Sequence, residues 1–176
     1  ANKYFGTTAE LIELPSYAGT DIFGNNVGGN YIGAFADQAT GKVVGEALIS
    51  EGCDIIFVAA GDSGNGVFAA AKEAQGVYVI GVDVDQYDDG VNGDSNIMLT
   101  SALKVMSINI TRQLENIAKG EFKGENALLG ASSGSTGYVS AAGRQQLSET
   151  TLAKLAEIQT KITNGEIVPA SSSNGY

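Results

Sequence analysis

Three short stretches carry side chains whose type and spacing can do chemistry. Residues 54–67 read DIIFVAAGDSGNGV and place Ser63 inside GDSG, the letters that surround the nucleophilic serine of chymotrypsin-like proteases. A serine hydroxyl is a weak nucleophile until a base takes its proton, and in a Ser-His-Asp triad that base is an imidazole. The chain has no histidine. A Ser-Lys pair would need Lys42, Lys72 or Lys104, and no spacing selects one of them. The run over 54–60 is nearly continuous in apolar residues, the pattern of a strand buried on both faces in a parallel α/β sheet. Ser63 is therefore not expected to be a nucleophile.

The same position makes GDSGNG a candidate ligand loop, because open parallel sheets bind ligands beyond the carboxyl ends of their strands. Gly61, Gly64 and Gly66 would let the backbone turn and approach a ligand closely. Their spacing, GxxGxG, is neither a dinucleotide fingerprint nor a P-loop, and a plain strand-to-helix turn is the alternative. The second stretch is GVDVDQYDDG, residues 81–90. Asp83 stands where the run VYVIGV emerges, and its carboxylate can accept hydrogen bonds from paired hydroxyls. Asp88 and Asp89 read as a solvated acidic loop. Calcium is not expected: with Gly90 at the sixth position of an EF-hand loop, Tyr87 and Asn96 fall on the third and twelfth. The third is Lys104 in TSALK. If Thr100 or Ser101 caps a helix, Lys104 lies in its first turn, where the helix dipole disfavours a cation. Such a lysine serves a ligand, or Asp83, or is an ordinary surface residue.

Alternating elements would have to position these groups. Strand-like runs lie at 11–14, 54–60, 77–83, 97–100 and 127–129. Helical patterns lie at 40–51, 66–75, 101–119 and 148–164, the last with Ser148 as N-cap, Leu152, Leu155, Ile158 and Ile162 inward, and Gly165 after its end. This alternation predicts an α/β sandwich with a mostly parallel sheet. Residues 16–40 read as a long loop or an insertion, and 130–143 as a loop or hinge. ANKYFG reads as the last turn of a helix with Gly6 as C-cap, and the tail ASSSNGY as frayed.

Composition narrows the function. Twenty acidic residues against ten basic ones give a net charge of −10, a field that repels phosphate backbones, so no nucleic acid is expected as a partner. The lone cysteine, Cys53, reads as a buried structural thiol, and one Cys without His builds no metal cluster. No cofactor is expected.

The segments EGCDIIFVAAGDSGNGVFAAAKE, GVYVIGVDVDQ, LTSALK, GEFKGENALLG and LSETTLAKLAEIQTKITNGEI, in this order over about residues 40–168, resemble the basic-membrane-protein family. These are substrate-binding lipoproteins of ABC importers and include purine nucleoside receptors. The resemblance implies a periplasmic-binding-protein type I fold: two flavodoxin-like α/β/α lobes joined by hinge crossings and closing on a ligand. It implies that Asp83 binds ribose hydroxyls with help from Lys104. Gly61 and Asp62 would line the base pocket, and Phe57 would stack on the purine.

Family members are nearly twice as long, so the resemblance implies a C-terminal portion whose N-terminal lobe is absent. Residues 1–97 and 147–176 would form an incomplete C-terminal lobe lacking its first strand. Residues 98–146 would form a hinge crossing and a segment of the N-terminal lobe. The implied function is solute binding without catalysis, with a transporter permease as partner. The implied place is extracytoplasmic, lipid-anchored by a segment outside this chain. The ligand-sensing domain of a transcription regulator shares the fold and is the alternative, and a nucleoside-processing enzyme is the remote one.

Overall fold

The computed structural model describes Asn2 and residues 6–169. Of the helical turn expected over ANKYFG, only Asn2 and Gly6 are described. Gly6 has φ +63°, and its N–H donates to the Asn2 carbonyl at 3.0 Å, the bond and handedness of a left-handed C-cap. Residues 3–5 and the tail expected to fray lie outside the described residues.

The chain divides into two units. Among the described residues, unit 1 runs to Ile56 and takes up Ala60–Val77, and unit 2 contains Phe57–Ala59 and the residues from Tyr78 onward.

In unit 1 the expected strand over 11–14 does not form. Leu11 is exposed, and the Asn30 side chain stands in for a strand neighbour. Its Oδ1 accepts the Leu14 N–H at 2.7 Å, and its Nδ2 donates to the Ile12 carbonyl at 3.0 Å. One amide side chain satisfies one N–H and one C=O on either side of Glu13 and cannot extend a ladder. The expected loop over 16–40 contains a hairpin instead: β1 (Ala18–Thr20) pairs antiparallel with β2 (Asn26–Asn30). Asp21 builds the turn by accepting the N–H groups of Phe23 and Asn25, an Asx turn that strand periodicity does not register.

Helix α1 (Gln38–Ser50) begins where the Asp37 carboxylate accepts the Thr40 N–H at 2.9 Å. Its buried face of Gly41, Val44, Gly45 and Leu48 packs on α2 (Gly64–Glu73), which buries Val67, Phe68, Ala70 and Ala71. Gly66 is the point of closest approach: a Cβ there would lie 1.9 Å from the Gln38 carbonyl oxygen and 2.6 Å from the Lys42 nitrogen. This glycine of the GDSGNG stretch thus serves helix packing, not the approach of a ligand.

Ser63 is 0% exposed. Its hydroxyl donates to the Ala34 carbonyl at 2.8 Å and accepts the Asp37 N–H at 2.8 Å, tying the segment before α1 to the turn before α2. Ser63→Ala would remove both part-buried bonds and is expected to cost about 1–3 kcal/mol, at about 0.5–1.5 kcal/mol each. The measurement is the urea midpoint at unchanged slope. An unmoved midpoint would mean that the two bonds contribute nothing net. Cys53, expected to be buried, is only half-buried; its thiol donates to the Ile55 carbonyl at 3.2 Å.

Strand β3 (Ile55–Phe57) lies where the chain passes from unit 1 to unit 2, and the sheet within unit 2 has the strand order β4 (Tyr78–Asp83), β7 (Met98–Lys104), β8 (Thr136–Tyr138). Between β4 and β7 lies a two-residue hairpin, β5 (Val91–Asn92) with β6 (Ser95–Asn96). Within unit 2, β4 and β7 run parallel with Ile80 opposite Thr100 and Asp83 opposite Leu103, while β8 runs antiparallel to β7. Val79 and Met98, both 0% exposed, lie at the centre of this sheet.

Three expectations are corrected here. TSALK does not open a helix: it is the carboxyl half of β7, hydrogen-bonded on both sides, and α3 (Met106–Lys119) starts only after it. Ladder bonds to two neighbours outweigh the helix propensity of Ala, Leu and Lys. Residues 130–143 are not all loop, since they contain β8. No strand forms over 127–129, where Leu128 is fully exposed. Helix α4 (Glu149–Thr163) is capped as expected, Ser148 Oγ accepting the Thr151 N–H at 3.1 Å and Gly165 beyond the end having φ +76°, but Leu152, Leu155, Ile158 and Ile162, expected inward, are only half-buried.

Candidate functional site

The site is built at the carboxyl ends of two adjacent parallel strands in unit 2. Strand β4 ends on Asp83, the one non-glycine with positive φ (+68°) among the described residues. The Val84 N–H donates back to the Val82 carbonyl at 2.8 Å, so Asp83 is the centre of a three-residue γ-turn of the rarer, strained kind. A β-carbon is disfavoured there by about 1–3 kcal/mol, and such strain concentrates at ligand clamps. Beside it β7 ends on Lys104, whose Nζ lies 3.0 Å from Asp83 Oδ1. The expected pairing of Asp83 with Lys104 forms, but it arises from strand register and not from a helix N-terminus. Their side chains are 52% and 64% exposed. An ion pair this open contributes only about 0–1 kcal/mol to stability. It is better placed to meet a solute than to hold the fold.

The segment after Asp83 is tied down by side chains that sequence reasoning missed. Gln86 Oε1 accepts the Val82 N–H at 2.9 Å, and the Gln86 backbone N–H donates to Ser101 Oγ at 3.1 Å. Gly81 leaves the room: a Cβ there would lie 2.7 Å from Gln86 Oε1 and 2.8 Å from Ser101 Oγ. The signal was present in GVDVDQ as a glycine five residues before a glutamine, but no periodicity marks it. Arg144 was also missed. Its Nε donates to Asp85 Oδ2 at 2.8 Å, and its two terminal nitrogens donate to the Asp88 carboxylate at 2.7 and 3.1 Å. The guanidinium lies 5.2 Å from the centre of the Tyr87 ring. Its hydrogen bond holds the Asp85 carboxyl below the ordinary carboxylate range. Asp88, expected to be merely solvated, is thus held on one side.

The remaining expected residues are separately placed. Phe57 closes β3 with 59% of its surface exposed. In unit 1, Gly61 has φ +57° and opens the single turn Gly61–Ser63. Asp62 in the same turn accepts both oxygens' worth of hydrogen bonds from Gln38 Nε2, at 2.9 and 3.0 Å, and one from Asn65 Nδ2 at 2.8 Å. That carboxylate is engaged by its own neighbours.

The chain is thus a mixed sheet with helices and with polar groups gathered beyond the carboxyl ends of its parallel strands β4 and β7. The chain superposes on an ABC transporter solute-binding protein from Aeropyrum pernix K1 with a TM-score of 0.64 at 22% identity, over 81% of this chain and 47% of that one. It superposes as well on a transcriptional activator of the comK gene from Bacillus halodurans, with a TM-score of 0.67 at 18% identity. These likenesses establish the fold alone. Residues 20–172 match the family described as ABC transporter substrate-binding protein PnrA-like, and the chain belongs to that family.

Among relatives, the CD4+ T-cell-stimulating antigen of Listeria monocytogenes is 32% identical over 92% of this chain and 49% of its own length. The ABC transporter nucleoside-binding protein BmpA of Lactococcus lactis is 36% identical over 53% of this chain and 30% of its own length. The chain spans about half or less of the length of these relatives.

Proposed function

We propose that this chain contributes one lobe's share of a solute site in an ABC importer, and that the solute is a purine nucleoside bound without catalysis. The observation that carries the reading is Asp83, held at positive φ beside Lys104 and open to solvent. A carboxylate and an ammonium 3.0 Å apart match a vicinal diol, which donates to one and accepts from the other. The nucleoside named for the Lactococcus relative supports the choice of solute. On this reading Gly61 and Asp62 face the base and Phe57 stacks on it, as an exposed aromatic suits a flat heterocycle.

The domain plan belongs to the same proposal. Residues 1–97 and 147–176 are C-terminal lobe, and 98–146 are hinge crossing and a piece of the N-terminal lobe. Helix α3 supports this: Met106, Ile110, Leu114 and Ile117 form an apolar stripe, each more than half exposed, and the helix buries no residue. Such a stripe normally faces a core. The partners are then the other lobe and a transporter permease, and the place is extracytoplasmic, with a lipid anchor outside this sequence. A ligand-sensing role in transcription is a second reading, favoured by the likeness to the comK activator. Family membership weighs against it.

Native mass spectrometry of the purified protein, followed by denaturation, is the test. Release of a nucleoside, and saturable rebinding of inosine, is the expected result. Release of a free sugar would keep the solute-binding reading and remove the base. Conversion of inosine to free base would replace binding by enzymatic processing.

A further inference from the structure

Arg144 lies 61 residues from Asp83 in sequence, yet it meets the loop that begins at Asp83. Three observations join them. Asp83 is the strained centre of its γ-turn, so its backbone stays there only if the surroundings hold it. The next residues form a short loop with carboxylates at Asp85, Asp88 and Asp89, which repel one another and Asp83. Arg144 binds two of these carboxylates through three N–H donors and packs over Tyr87 between them. Its own segment is anchored independently: the Gln146 N–H donates to the Leu99 carbonyl, and Gln146 Nε2 donates to the carbonyls of Asn96 and Met98. The clamp is thus fixed to β7 at one end and to the Asp83 loop at the other.

We propose that Arg144 is a positioning residue for the solute site: by clamping Asp85 and Asp88 it holds Asp83 in its positive-φ turn, so that the carboxylate stays beside Lys104 and aimed at a ligand diol. The last clause rests on the proposed function. The first concerns the fold alone. A fork is required because two carboxylates three residues apart are bridged at once by three N–H donors, which a lysine's point charge does not reproduce.

Without the clamp, the repelling loop opens and Asp83 relaxes to the extended backbone that its strand would otherwise continue. The diol then loses its acceptor, while contacts to the base are untouched. Removing a group that orients a metal ligand costs about 10–100-fold in affinity, and about tenfold is expected here for a ribonucleoside. A 2′-deoxyribonucleoside, which presents no vicinal diol, should lose little.

The experiment compares the wild-type protein with Arg144→Met, Arg144→Lys and the double variant Asp85→Asn with Asp88→Asn. The first readout is the set of Asp83 backbone carbon shifts and its amide–Hα coupling, which report φ without any ligand. The second is the ratio of affinities for inosine and 2′-deoxyinosine. The expected result is that Arg144→Met shifts Asp83 to extended values and brings the ratio toward one, whereas the double variant, which removes the loop's repulsion together with the clamp, shifts it less. Arg144→Lys should fall between Arg144→Met and wild type. Unmoved Asp83 resonances in folded Arg144→Met overturn the proposal. If that variant does not fold, Asp83 resonances of Arg144→Lys identical to wild type overturn it equally. If wild-type protein binds no nucleoside, the nucleoside reading fails, and the Asp83 resonances still decide the clamp.

Discussion

Asp83→Asn is expected to lower affinity for a ribonucleoside by about 100-fold, equivalent to about 2.7 kcal/mol, with little change in folding stability. The substitution is chosen for its backbone. Asn tolerates positive φ as well as Asp does, so the γ-turn is preserved and only the charge and one acceptor are removed. Hydrogen bonds to a charged group are worth about 1.5–3 kcal/mol each, against roughly half that for neutral ones. Two diol hydroxyls that exchange a carboxylate for an amide lose on the order of the stated amount. The loss of the ion pair with Lys104 should move the melting temperature little, because both side chains are more than half exposed. Titration calorimetry with inosine and 2′-deoxyinosine, alongside thermal melts, separates the two effects. Unchanged inosine affinity would remove Asp83 from the site. Equal losses for both nucleosides would mean that its partner is not the diol.

The largest effect on stability is expected at Gly66, in the stretch that first suggested a ligand loop. Gly66→Ala places a methyl group 1.9 Å from the Gln38 carbonyl oxygen and 2.6 Å from the Lys42 nitrogen. Both are backbone atoms of α1, so no side chain can swing aside, and the helices must separate. Separation also loosens the contact of Gly45 with Val67 and Ala70, where a Cβ would already lie 3.0–3.2 Å from its neighbours. Overpacking of this kind costs about 3 kcal/mol, a melting temperature lower by about 6–12 °C for a chain of this size. Gly124→Ala, at a position with open space and no positive φ, is the control and should stay within about 0.5 kcal/mol of wild type. Equal melting temperatures for the two variants would show that α1 and α2 are not held at this distance.

Gly66 also explains why one part of the candidate site was legible and another was not. A glycine-rich turn after an apolar strand has the same letters whether its glycines make room for a ligand or for a neighbouring helix. The carbonyl that approaches Gly66 comes from Gln38, 28 residues earlier, and no local pattern encodes that approach. Asp83 was legible because its type and its place at the end of an apolar run both point the same way. Lys104 was singled out correctly as a residue beside Asp83, for a reason the structure replaces: TSALK has the composition of a helix start and folds as a strand.

Family membership and the α/β class were determined by the sequence itself. The motifs GVDVDQ and LTSALK, and the alternation of apolar runs with helical periods, are local properties and survive in any context. So is the capping of α4 by Ser148, whose Oγ accepts the N–H of Thr151 in the first turn. Only the tertiary structure decided the rest. It assigned residues 98–104 to a strand, because β4 and β8 offer hydrogen bonds on both sides. It denied residues 11–14 and 127–129 a ladder, because among the described residues no strand pairs with them. It brought Arg144 onto Asp85 and Asp88 across more than fifty residues. Short-range preference is written in neighbouring letters, whereas pairing partners and charge clamps depend on which distant segments the sheet brings to the same edge.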